Sequence, residues 1–582
     1  MNIAIPQLEA ARPTAHLELD EALTRLVERK QAWAQLGLAD KVQLLDGLVE
    51  KTGAIAERWV AAACRAKGIA EGSPLAGEEW TSGPWALMYG ARHYAMSLTE
   101  LLASGAPRIP GAVRTRPDGQ VIAEVFPKTI WDKLLLGGVQ GEVWMEPGVT
   151  SANLSANMGG FYKEKAPQGR VALVLGAGNI ASIGPMDVLH KLYVEGQVCL
   201  MKMNPVNEYL GPFLAEAFAD FVAAGYVAFA YGGVEVGAYL TEHPAVEEMH
   251  ITGSAATHDA IVFGSGPDGQ KRKAAGTPRN PRRFTSELGN VSPVIVVPGP
   301  WDEADLAFQA EHIATMKMHN GGFNCIAGQV LVMSSDWPST PKLLAEVERV
   351  LVAAPNRKAY YPGAEARQKA ALALDGAREL DAAASGFTPR TLVPNVPASE
   401  RDSAAFQTEA FGSVLSATRL PGDGLAFLSA AVDFCNDTLW GTLGCTVLIH
   451  PQTEKEMGAA FEDQIARLRY GCIAINSWSG VGFLIAQTSW GAFPGHSISD
   501  IRSGSGTVHN TLLFDRPQKS VVRQAFYPAP RGMLHGSFAI LPKPPWFITN
   551  TMAAEVGRKL VEFEREPSAA KLPSIFFSAL RG

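Results

Sequence analysis

The hydrophobic positions of the first hundred residues recur at the spacing of α-helices. Two groups of apolar residues repeat at three- and four-residue intervals, which places each group on one helical face. The first group comprises Leu19, Leu23, Leu26 and Val27. The second comprises Leu45, Leu48 and Val49, in a helix for which Asp40 is a candidate N-cap. We expect both faces to pack into a core and assign them no chemistry.

The pattern then changes to strands. Residues 107–162 contain segments rich in β-formers between Gly and Pro turns, at 120–125 and 141–144. Later apolar runs are short and continuous, as in strands of a parallel sheet, and helical patterns separate them. These runs begin at Val171, Val198 and Val330, and a helix is predicted over 303–318. Alternating strands and helices predict an α/β fold.

Composition narrows the classes of protein that fit this pattern. A chain of 582 residues, 47% hydrophobic and 19% charged, is long enough for two or three globular domains. A net charge of −7 gives no reason to expect nucleic acid or an anionic membrane as partner. No signal peptide is evident, and no apolar run reaches membrane-spanning length. The basic, Pro- and Gly-rich stretch 264–283 is predicted to be a solvated loop.

The cysteines are scattered along the chain, at positions 64, 199, 325, 435, 445 and 472. Neither a CxxC pair nor a Cys/His ligand spacing is present, so we expect no metal site and no disulfide framework. Free thiols suit a reducing compartment, which predicts a cytoplasmic protein.

One of these cysteines lies in a loop whose composition suits catalysis. Cys325 ends the segment His-Asn-Gly-Gly-Phe-Asn-Cys, between the predicted helix and the apolar run at Val330. Glycines allow a substrate to approach closely, and such surroundings can favour the thiolate that a nucleophile needs. A lone cysteine is more often a buried structural residue. A second segment, Thr-Ser-Glu-Leu-Gly-Asn-Val-Ser-Pro with Glu287, favours a catalytic over a structural role for Cys325.

Together these segments resemble the aldehyde dehydrogenase superfamily, in which a Glu-Leu-Gly-Gly-Lys-Ser-Pro segment carries a general base and a Gly-Gln-x-Cys-x-Ala-Gly segment the nucleophile. The resemblance runs from about residue 20 to about residue 527. It implies an α/β fold with a Rossmann-type cofactor domain, an α/β catalytic domain and a small β oligomerisation arm. The implied ranges are 1–106 and 163–296 for the cofactor domain, 107–162 and 507–530 for the arm, and 297–506 for the catalytic domain.

Two features near the C-terminus bear on this resemblance. Segment 519–527 is similar to the final strand that family members use to pair subunits, which implies a homodimer or homotetramer. Residues 531–582 exceed the common family length. This C-terminal extension has no role that the resemblance supplies.

The segment after the Val171 run has two interpretations. Residues 176–181, Gly-Ala-Gly-Asn-Ile-Ala, copy the GxGxxG/A dinucleotide fingerprint, but the next predicted strand ends in Lys202 where that motif needs an acid. In the resemblance, Asn179 matches the amide that binds the oxyanion, and Lys202 matches the lysine that contacts the adenosine ribose. Pro205 replaces a common ribose-binding glutamate, so the implied cofactor is NAD or NADP.

Further cofactor-binding residues follow from the resemblance. Gly233, Gly253 and Ser254 match its Gly-rich turn and the Thr-Gly-Ser motif at the pyrophosphate. Glycine permits close backbone approach, and a serine at a helix start can face phosphate. Glu409 and Phe411 match the residues that hold the nicotinamide ribose and support its ring.

The resemblance implies oxidation of an aldehyde to the carboxylic acid. Cys325 is the implied nucleophile, and the Asn179 amide with the Cys325 N–H the implied oxyanion donors. Glu287 is the implied base that activates water. Segments 474–478 and 488–491 resemble those lining the family's substrate tunnel, and their aromatics favour an apolar or aromatic aldehyde.

Three alternatives remain open. A CoA-acylating dehydrogenase or acyl-CoA reductase would share the fold, but such members commonly lack the glutamate found here at 287. A catalytically silent ligand-binding homologue would not need Cys325, Glu287 and Asn179 together. An ordinary Rossmann dehydrogenase is disfavoured by Lys202 and by the lack of an evident Tyr-x-x-x-Lys pair or histidine base.

Overall fold

The computed structural model describes residues 11–381, 386–534 and 542–582. The strands are β1 (Val113–Thr115), β2 (Val121–Phe126), β3 (Gln140–Met145), β4 (Val171–Leu175), β5 (Val198–Lys202), β6 (Val227–Ala230), β7 (Glu248–Gly253), β8 (Phe284–Leu288), β9 (Ser292–Val296), β10 (Gly328–Ser334), β11 (Arg378–Glu379), β12 (Thr391–Val393), β13 (Val414–Leu420), β14 (Gly444–Leu448), β15 (Cys472–Ile475), β16 (Trp490–Gly491), β17 (Gly504–Ser505), β18 (Thr507–His509) and β19 (Pro517–Arg523). The α-helices are α1 (His16–Gln35), α2 (Leu38–Lys67), α3 (Ala76–Trp80), α4 (Ala86–Ser104), α5 (Ile130–Leu135), α6 (Gly160–Lys163), α7 (Ile183–Tyr193), α8 (Gly211–Ala217), α9 (Ala219–Ala224), α10 (Val234–Glu242), α11 (Ala255–Phe263), α12 (Gly266–Ala274), α13 (Glu303–Met318), α14 (Thr340–Ala353), α15 (Ala364–Leu372), α16 (Ala404–Gln407), α17 (Gly424–Asp437), α18 (Pro451–Met457), α19 (Ala459–Arg467), α20 (Ser479–Leu484), α21 (Arg531–Leu534), α22 (Ala553–Arg565) and α23 (Leu572–Ala579). Within the described ranges, no helix is both long and apolar enough to span a membrane.

Two sheets organise these elements. The smaller sheet has the order β17-β8-β7-β4-β5-β6, and its strands are parallel except for the β17–β8 pair. The larger sheet has the order β1-β2-β3-β19-β15-β14-β9-β10-β13-β12-β11, with parallel pairing from β19 to β12. Strands β4, β5 and β10 are buried along their whole length, as parallel strands covered on both faces are. The predicted α/β fold is confirmed.

The N-terminal helices follow the predicted stripes with two corrections. Leu19, Leu23 and Leu26 are buried, but Val27 is 39% exposed because it lies about 100° around the helix from Leu26. The second helix begins at Leu38 with Gly37 in the N-cap position, so Asp40 is not the cap. Asp40 instead lies in the first turn, where the helix dipole favours a carboxylate.

The basic stretch 264–283 is not a loop throughout, and that prediction is wrong. Its first half forms α12, which has a proline in its first turn and basic residues at positions 271–273 in its last turn. Proline fits a helix start, and cations near the C-terminal end are favoured by the helix dipole. The Pro/Gly content that suggested a loop therefore marks the ends of a short helix.

The β-rich segment 107–162 extends the larger sheet. β2 and β3 pair antiparallel, and β3 pairs antiparallel with β19. On its other side β19 pairs in parallel with β15. Both edges of the strand that resembles a subunit-pairing strand are therefore occupied within one chain. A homodimer or homotetramer stays a prediction, and it would need another surface.

A π-helical turn, Thr81–Trp85, joins α3 to α4. Gly83 has φ −111° and ψ −109° there, outside the helical range, and Pro84 follows it. Proline cannot donate to the helical hydrogen-bond ladder, so the chain kinks at this point. Such turns are frequent at functional sites.

The C-terminal extension packs tightly onto the N-terminal helices through α22. A Cβ on Gly77 would lie 2.5 Å from the backbone of Ala553, and one on Gly557 would lie 2.6 Å from Trp80 Cβ. Glycine at both positions therefore allows α3 and α22 to cross at close range. Arg92 Nε donates to Glu564 Oε1 at 2.6 Å and ties the far end of α22 to α4.

This close crossing predicts that Gly557→Leu destabilises the protein. A leucine side chain would overlap Trp80, and overpacking of this kind typically costs about 1–3 kcal/mol. Urea unfolding followed by circular dichroism measures the change. Glu562→Ala, on the exposed side of the same helix, is the matched control and should change stability by less than about 0.5 kcal/mol. Equal stability of both variants would show that α22 does not dock as described.

Candidate active site

Cys325 lies in a loop whose backbone suits glycine and asparagine. After α13, Asn320, Gly321 and Gly322 have φ values of 54°, 67° and 81°. Glycine adopts such values without strain, and asparagine tolerates them better than most residues. A Cβ on Gly322 would also lie 2.4 Å from the Gly412 carbonyl oxygen. The glycine and asparagine residues of this loop therefore allow its backbone conformation.

The Cys325 thiol lies against the Glu287 carboxyl. Cys325 Sγ donates a hydrogen bond to Glu287 Oε1 at 3.3 Å. Glu287 is on β8 and 1% exposed, and this burial raises its pKa. Burial also raises the pKa of Cys325 well above its usual value, and the carboxylates of Glu287 and Glu409 raise it further. The expectation that the loop favours a thiolate is therefore wrong, and the thiol is the resting form.

The third predicted catalytic residue borders the same cavity. Asn179 follows β4 and lines a cavity of about 50 Å³ with Cys325 and Glu287. Its Nδ2 donates to the Phe323 carbonyl oxygen at 2.9 Å. An amide nitrogen carries two hydrogens, so this bond uses one of them. The structure thus brings together three residues that are far apart in sequence.

A buried cation that the sequence analysis missed connects the Cys325 loop to Asn179. Lys67 is 3% exposed, and its Nζ donates to Glu79 Oε1 at 2.7 Å. It also donates to the Asn179 carbonyl oxygen at 2.9 Å and to Asn320 Oδ1 at 3.0 Å. The Tyr360 hydroxyl donates to the same Asn320 oxygen at 3.0 Å. No local motif marks Lys67, because its partners come from distant segments.

A second buried polar cluster, also missed, lies near Glu287. Asp187 accepts a hydrogen bond from Thr252 Oγ1 at 3.0 Å, and its oxygens lie 3.2 Å from His509 Nε2 and 3.4 Å from His250 Nε2. Burial tends to raise the pKa of Asp187, but the two histidines lower it to about 2. The ionised Asp187 adds to the rise in the pKa of Glu287, whereas His509 opposes it.

Four of the predicted cofactor-binding residues lie at the carboxyl edge of the six-stranded sheet: Lys202, Gly233, Gly253 and Ser254. Lys202 ends β5 and Gly253 ends β7, on opposite sides of β4. The order of strands reverses beside β4, and open α/β sheets bind ligands outside such a switch point. This edge therefore suits a dinucleotide.

The starts of α10 and α11 suit a pyrophosphate. Gly233 is in the N-cap position of α10, and a Cβ there would meet nothing within 4 Å. Ser254 caps α11, its Oγ accepting from the Thr257 N–H at 3.2 Å. Gly253 and Ser254 are both exposed, so the free N–H groups at this helix start can reach an anion.

Lys202 has a carboxylate within electrostatic reach. Lys202 is 8% exposed, and burial lowers its pKa while Glu208 acts in the opposite direction. Glu208 Oε1 accepts a hydrogen bond from the Ala11 N–H at 2.9 Å. Pro205 is exposed. The carboxylate near the lysine thus comes from position 208 rather than 205.

Glu409 folds onto the backbone that follows β8. Its Oε1 accepts from the Asn290 N–H at 3.2 Å, and a Cβ on Gly289 would lie 2.0 Å from its Oε2. Burial raises the pKa of Glu409 to about 8, although the N–H of Asn290 and the charge of Lys317 lower it. Its charge also affects the pKa of Cys325, which places it on the same side of the site.

Phe411 joins an aromatic cluster beside the Cys325 loop. Its ring centroid lies 4.8 Å from that of Tyr361 and 6.0 Å from that of Phe323. The Arg367 guanidinium lies 5.9 Å above the Phe411 ring. Phe323 is two residues before Cys325, so the aromatic cluster packs against the Cys325 loop. Phe411 was predicted from the sequence, whereas Tyr361 was not.

The remaining walls of the Cys325 cavity are largely apolar. Trp478 and Trp490, from the two segments predicted to line the substrate tunnel, both border it. Trp478 Nε1 donates to the Ile326 carbonyl oxygen at 3.2 Å, which fixes its ring. Thr81, from the π-helical turn, completes the opening.

Several known proteins are similar to this chain. Solved structures that align with 88% of it include NADP-dependent glyceraldehyde-3-phosphate dehydrogenase from Bacillus halodurans C-125 (TM-score 0.58, 16% identity, 92% of that chain). Lactaldehyde dehydrogenase from Escherichia coli is also similar (TM-score 0.59, 16% identity, 88% of this chain and 91% of that one). At these identities the likeness shows the shared fold.

A further similar structure is a mutant of aldehyde dehydrogenase C (AldC) from Pseudomonas syringae, complexed with NAD+ and octanal (TM-score 0.58, 16% identity, 88% of this chain and 90% of that one). Among curated proteins, aldehyde dehydrogenase LUC3 from Fusarium sp is 26% identical over 162 residues. That match covers 27% of this chain and spans 32% of the length of the relative.

A family model matches a much longer part of the chain. The model describes the aldehyde dehydrogenase family, and it matches residues 161–491. This range is more than half of the chain and contains Asn179, Glu287, Cys325 and Glu409. The chain therefore belongs to the aldehyde dehydrogenase family.

Proposed function

We propose that this protein oxidises an aldehyde to the carboxylic acid with NAD+ or NADP+. The observation that carries the proposal is the 3.3 Å hydrogen bond from Cys325 Sγ to Glu287 Oε1, beside Asn179, in a member of this family. Covalent oxidation of an aldehyde needs a nucleophile, a base and an oxyanion donor around one small cavity. These three residues supply those groups.

Cys325 attacks the aldehyde carbonyl carbon in the first step. Because the thiol is the resting form, its proton must leave as the Sγ–C bond forms. Glu287 Oε1 already accepts the hydrogen bond from that thiol, so it receives the proton. The carbonyl oxygen becomes an oxyanion, held by the second hydrogen of the Asn179 amide and by the Cys325 N–H.

A dinucleotide held at the edge of the six-stranded sheet would accept the hydride that the Cys325 adduct must lose to become a thioester. Glu287 then passes its proton to solvent and accepts another from the water that attacks the thioester. Cleavage of the C–S bond releases the acid and restores the thiol. The raised pKa of Glu287 suits this exchange, because a carboxylate whose pKa is nearer neutrality is a stronger base and can still release its proton at neutral pH.

The residues at the carboxyl edge of the six-stranded sheet would hold the cofactor. We assign the adenosine ribose to Lys202, the pyrophosphate to Gly233, Gly253 and Ser254, and the nicotinamide ribose to Glu409. Phe411 would support the ring. This assignment gives the six-stranded sheet to the cofactor domain and the parallel part of the larger sheet to the catalytic domain.

Water is favoured over CoA as the acceptor of the acyl group. Glu287 fills the position from which a base activates water, and it lies in hydrogen-bonding distance of the thiol.

Glu287→Gln is expected to separate the two halves of the reaction. Removing the carboxylate lowers the pKa of Cys325, so the thiol can lose its proton to solvent and the thioester still forms. Glutamine cannot accept a proton from water, so hydrolysis should slow by about a hundredfold or more. Rapid mixing should show a burst of one reduced cofactor per active site, followed by a slow steady state.

Cys325→Ala is the control for this experiment. It should give neither burst nor turnover and should bind the cofactor as the parent does. A Glu287→Gln enzyme as fast as the parent in the steady state would remove Glu287 from the proposed role. Acyl-CoA formation by the parent in the presence of CoA would favour the CoA-acylating alternative.

The cofactor edge predicts weak discrimination between NAD and NADP. Lys202 can bond ribose hydroxyls or a 2′-phosphate, and position 205 carries no carboxylate to repel the phosphate. We expect the two dissociation constants to agree within about tenfold, roughly 1.4 kcal/mol. Pro205→Glu should shift the preference toward NAD, measured by calorimetric titration of both cofactors.

Glu208→Gln is the matched control, because Glu208 is the carboxylate already near Lys202. A parent that excludes NADP by about a thousandfold, with exclusion relieved in Glu208→Gln, would show that Glu208 selects the cofactor and would overturn the role given to position 205.

A further inference from the structure

We propose that the C-terminal extension forms one wall of a chamber that receives the apolar tail of the aldehyde, and thereby selects substrates with a long apolar body. The proposal rests on the proposed function, since it names the substrate class of the same site. It assigns a role to residues 542–582, for which the family resemblance supplies none.

The chamber adjoins the Cys325 cavity. It has a volume of about 330 Å³, against about 50 Å³ for the cavity around Cys325, and the two share Thr81 and Leu484 in their walls. The larger volume of the chamber suits the body of an aldehyde whose carbonyl lies at Cys325. An aldehyde whose body leaves the Cys325 cavity past Thr81 and Leu484 would enter this chamber.

Helices α4, α5 and α20, the π-helical turn and the C-terminal extension all line this chamber. Helix α4 contributes Met96, α5 contributes Trp131, and the extension contributes Trp546, Leu560 and Phe563. Trp131 and Phe563 pack edge to face with centroids 5.4 Å apart, which joins two of these parts directly. The extension therefore supplies one wall of the chamber.

Close packing and an ion pair hold this wall in place. Gly77 and Gly557 let α22 approach α3 closely, and the Arg92–Glu564 ion pair secures its far end. Glu564 is buried, which raises its pKa to about 6, and Arg92 counteracts this rise. The extension therefore holds its chamber-lining side chains at fixed places.

The polar groups of the chamber are paired among themselves. Tyr89 donates to Asp132 Oδ1 at 2.6 Å, and Gln487 donates to the Tyr89 hydroxyl at 2.9 Å. His93 is neutral at pH 7, because burial lowers its pKa to about 4. Arg92 is committed to Glu564. A carboxylate or phosphate on the far end of a substrate would thus find no uncommitted cation among these groups, whereas an alkyl or aryl-alkyl tail would displace water from aromatic walls.

The test compares linear aldehydes of increasing length. For the parent enzyme, kcat/KM should rise about threefold to fourfold with each added methylene until the chamber is filled. Leu560→Trp fills part of the chamber and should lower kcat/KM for decanal by about tenfold or more, while leaving propanal within about twofold. Leu560→Ala enlarges the chamber. It should still oxidise decanal, and kcat/KM should continue to increase for aldehydes longer than those that fill the parent chamber.

Glu562→Trp is the matched control, because it adds the same ring to an exposed position of α22. For Glu562→Trp, kcat/KM should match that of the parent for every aldehyde in the series. The proposal would be overturned if Leu560→Trp lowered kcat/KM equally for propanal and decanal. It would also be overturned if Glu562→Trp lowered kcat/KM for decanal as much as Leu560→Trp does.

A binding measurement separates this proposal from the proposed function. Calorimetric titration with 1-decanol should show binding to the parent and to Cys325→Ala, and at least about tenfold weaker binding to Leu560→Trp. If no aldehyde is oxidised but decanol binds more weakly to Leu560→Trp than to the parent, the proposed function is wrong and the apolar binding chamber is supported. If propanal is oxidised but decanol binds equally to the parent and Leu560→Trp, the chamber is wrong and the proposed function stands.

Discussion

A half-buried thiol hydrogen-bonded to a buried carboxyl is the interaction on which the site depends. Glu287 lies on β8 of the smaller sheet and Cys325 lies just before β10 of the larger sheet, and their side chains meet at 3.3 Å. Burial raises the pKa of both groups, so each is held nearer its protonated form than in water. The pair therefore stores the proton that must move when the thiol becomes a nucleophile, and it needs no permanent thiolate to do so.

The surrounding structure holds that pair in place. Lys67 joins the Cys325 loop to the Asn179 backbone through Asn320, in a network that is buried and charged. Removing one partner of such a network leaves a buried charge unpaired and is strongly destabilising. On the other side, Asp187 stays ionised near Glu287 and helps to raise its pKa. The environment of Cys325 and Glu287 thus depends on residues outside this pair.

The sequence predicted the fold class and the members of the site far better than their interactions. Apolar runs located the parallel strands, because buried strands have a pattern that needs no knowledge of their neighbours. Cys325, Glu287 and Asn179 were found through local motifs. Lys67 and Asp187 were missed, because each acquires its role from partners distant in the chain. The protonation of Cys325 was mispredicted for the same reason, since burial and nearby carboxylates are properties of the folded molecule.

The protonation state of Cys325 in the free enzyme tests this view most directly. The rate of alkylation of Cys325 by iodoacetamide, followed by mass spectrometry from about pH 6 to about pH 10, reports the thiolate fraction. Because the pKa of Cys325 is raised, the parent should react slowly near pH 7 and faster above about pH 9. Glu287→Gln should move the rise to lower pH, because the carboxylate that opposes ionisation is gone. Rapid alkylation of the parent at neutral pH, or slower alkylation of Glu287→Gln at every pH, would contradict the buried thiol–carboxyl pair.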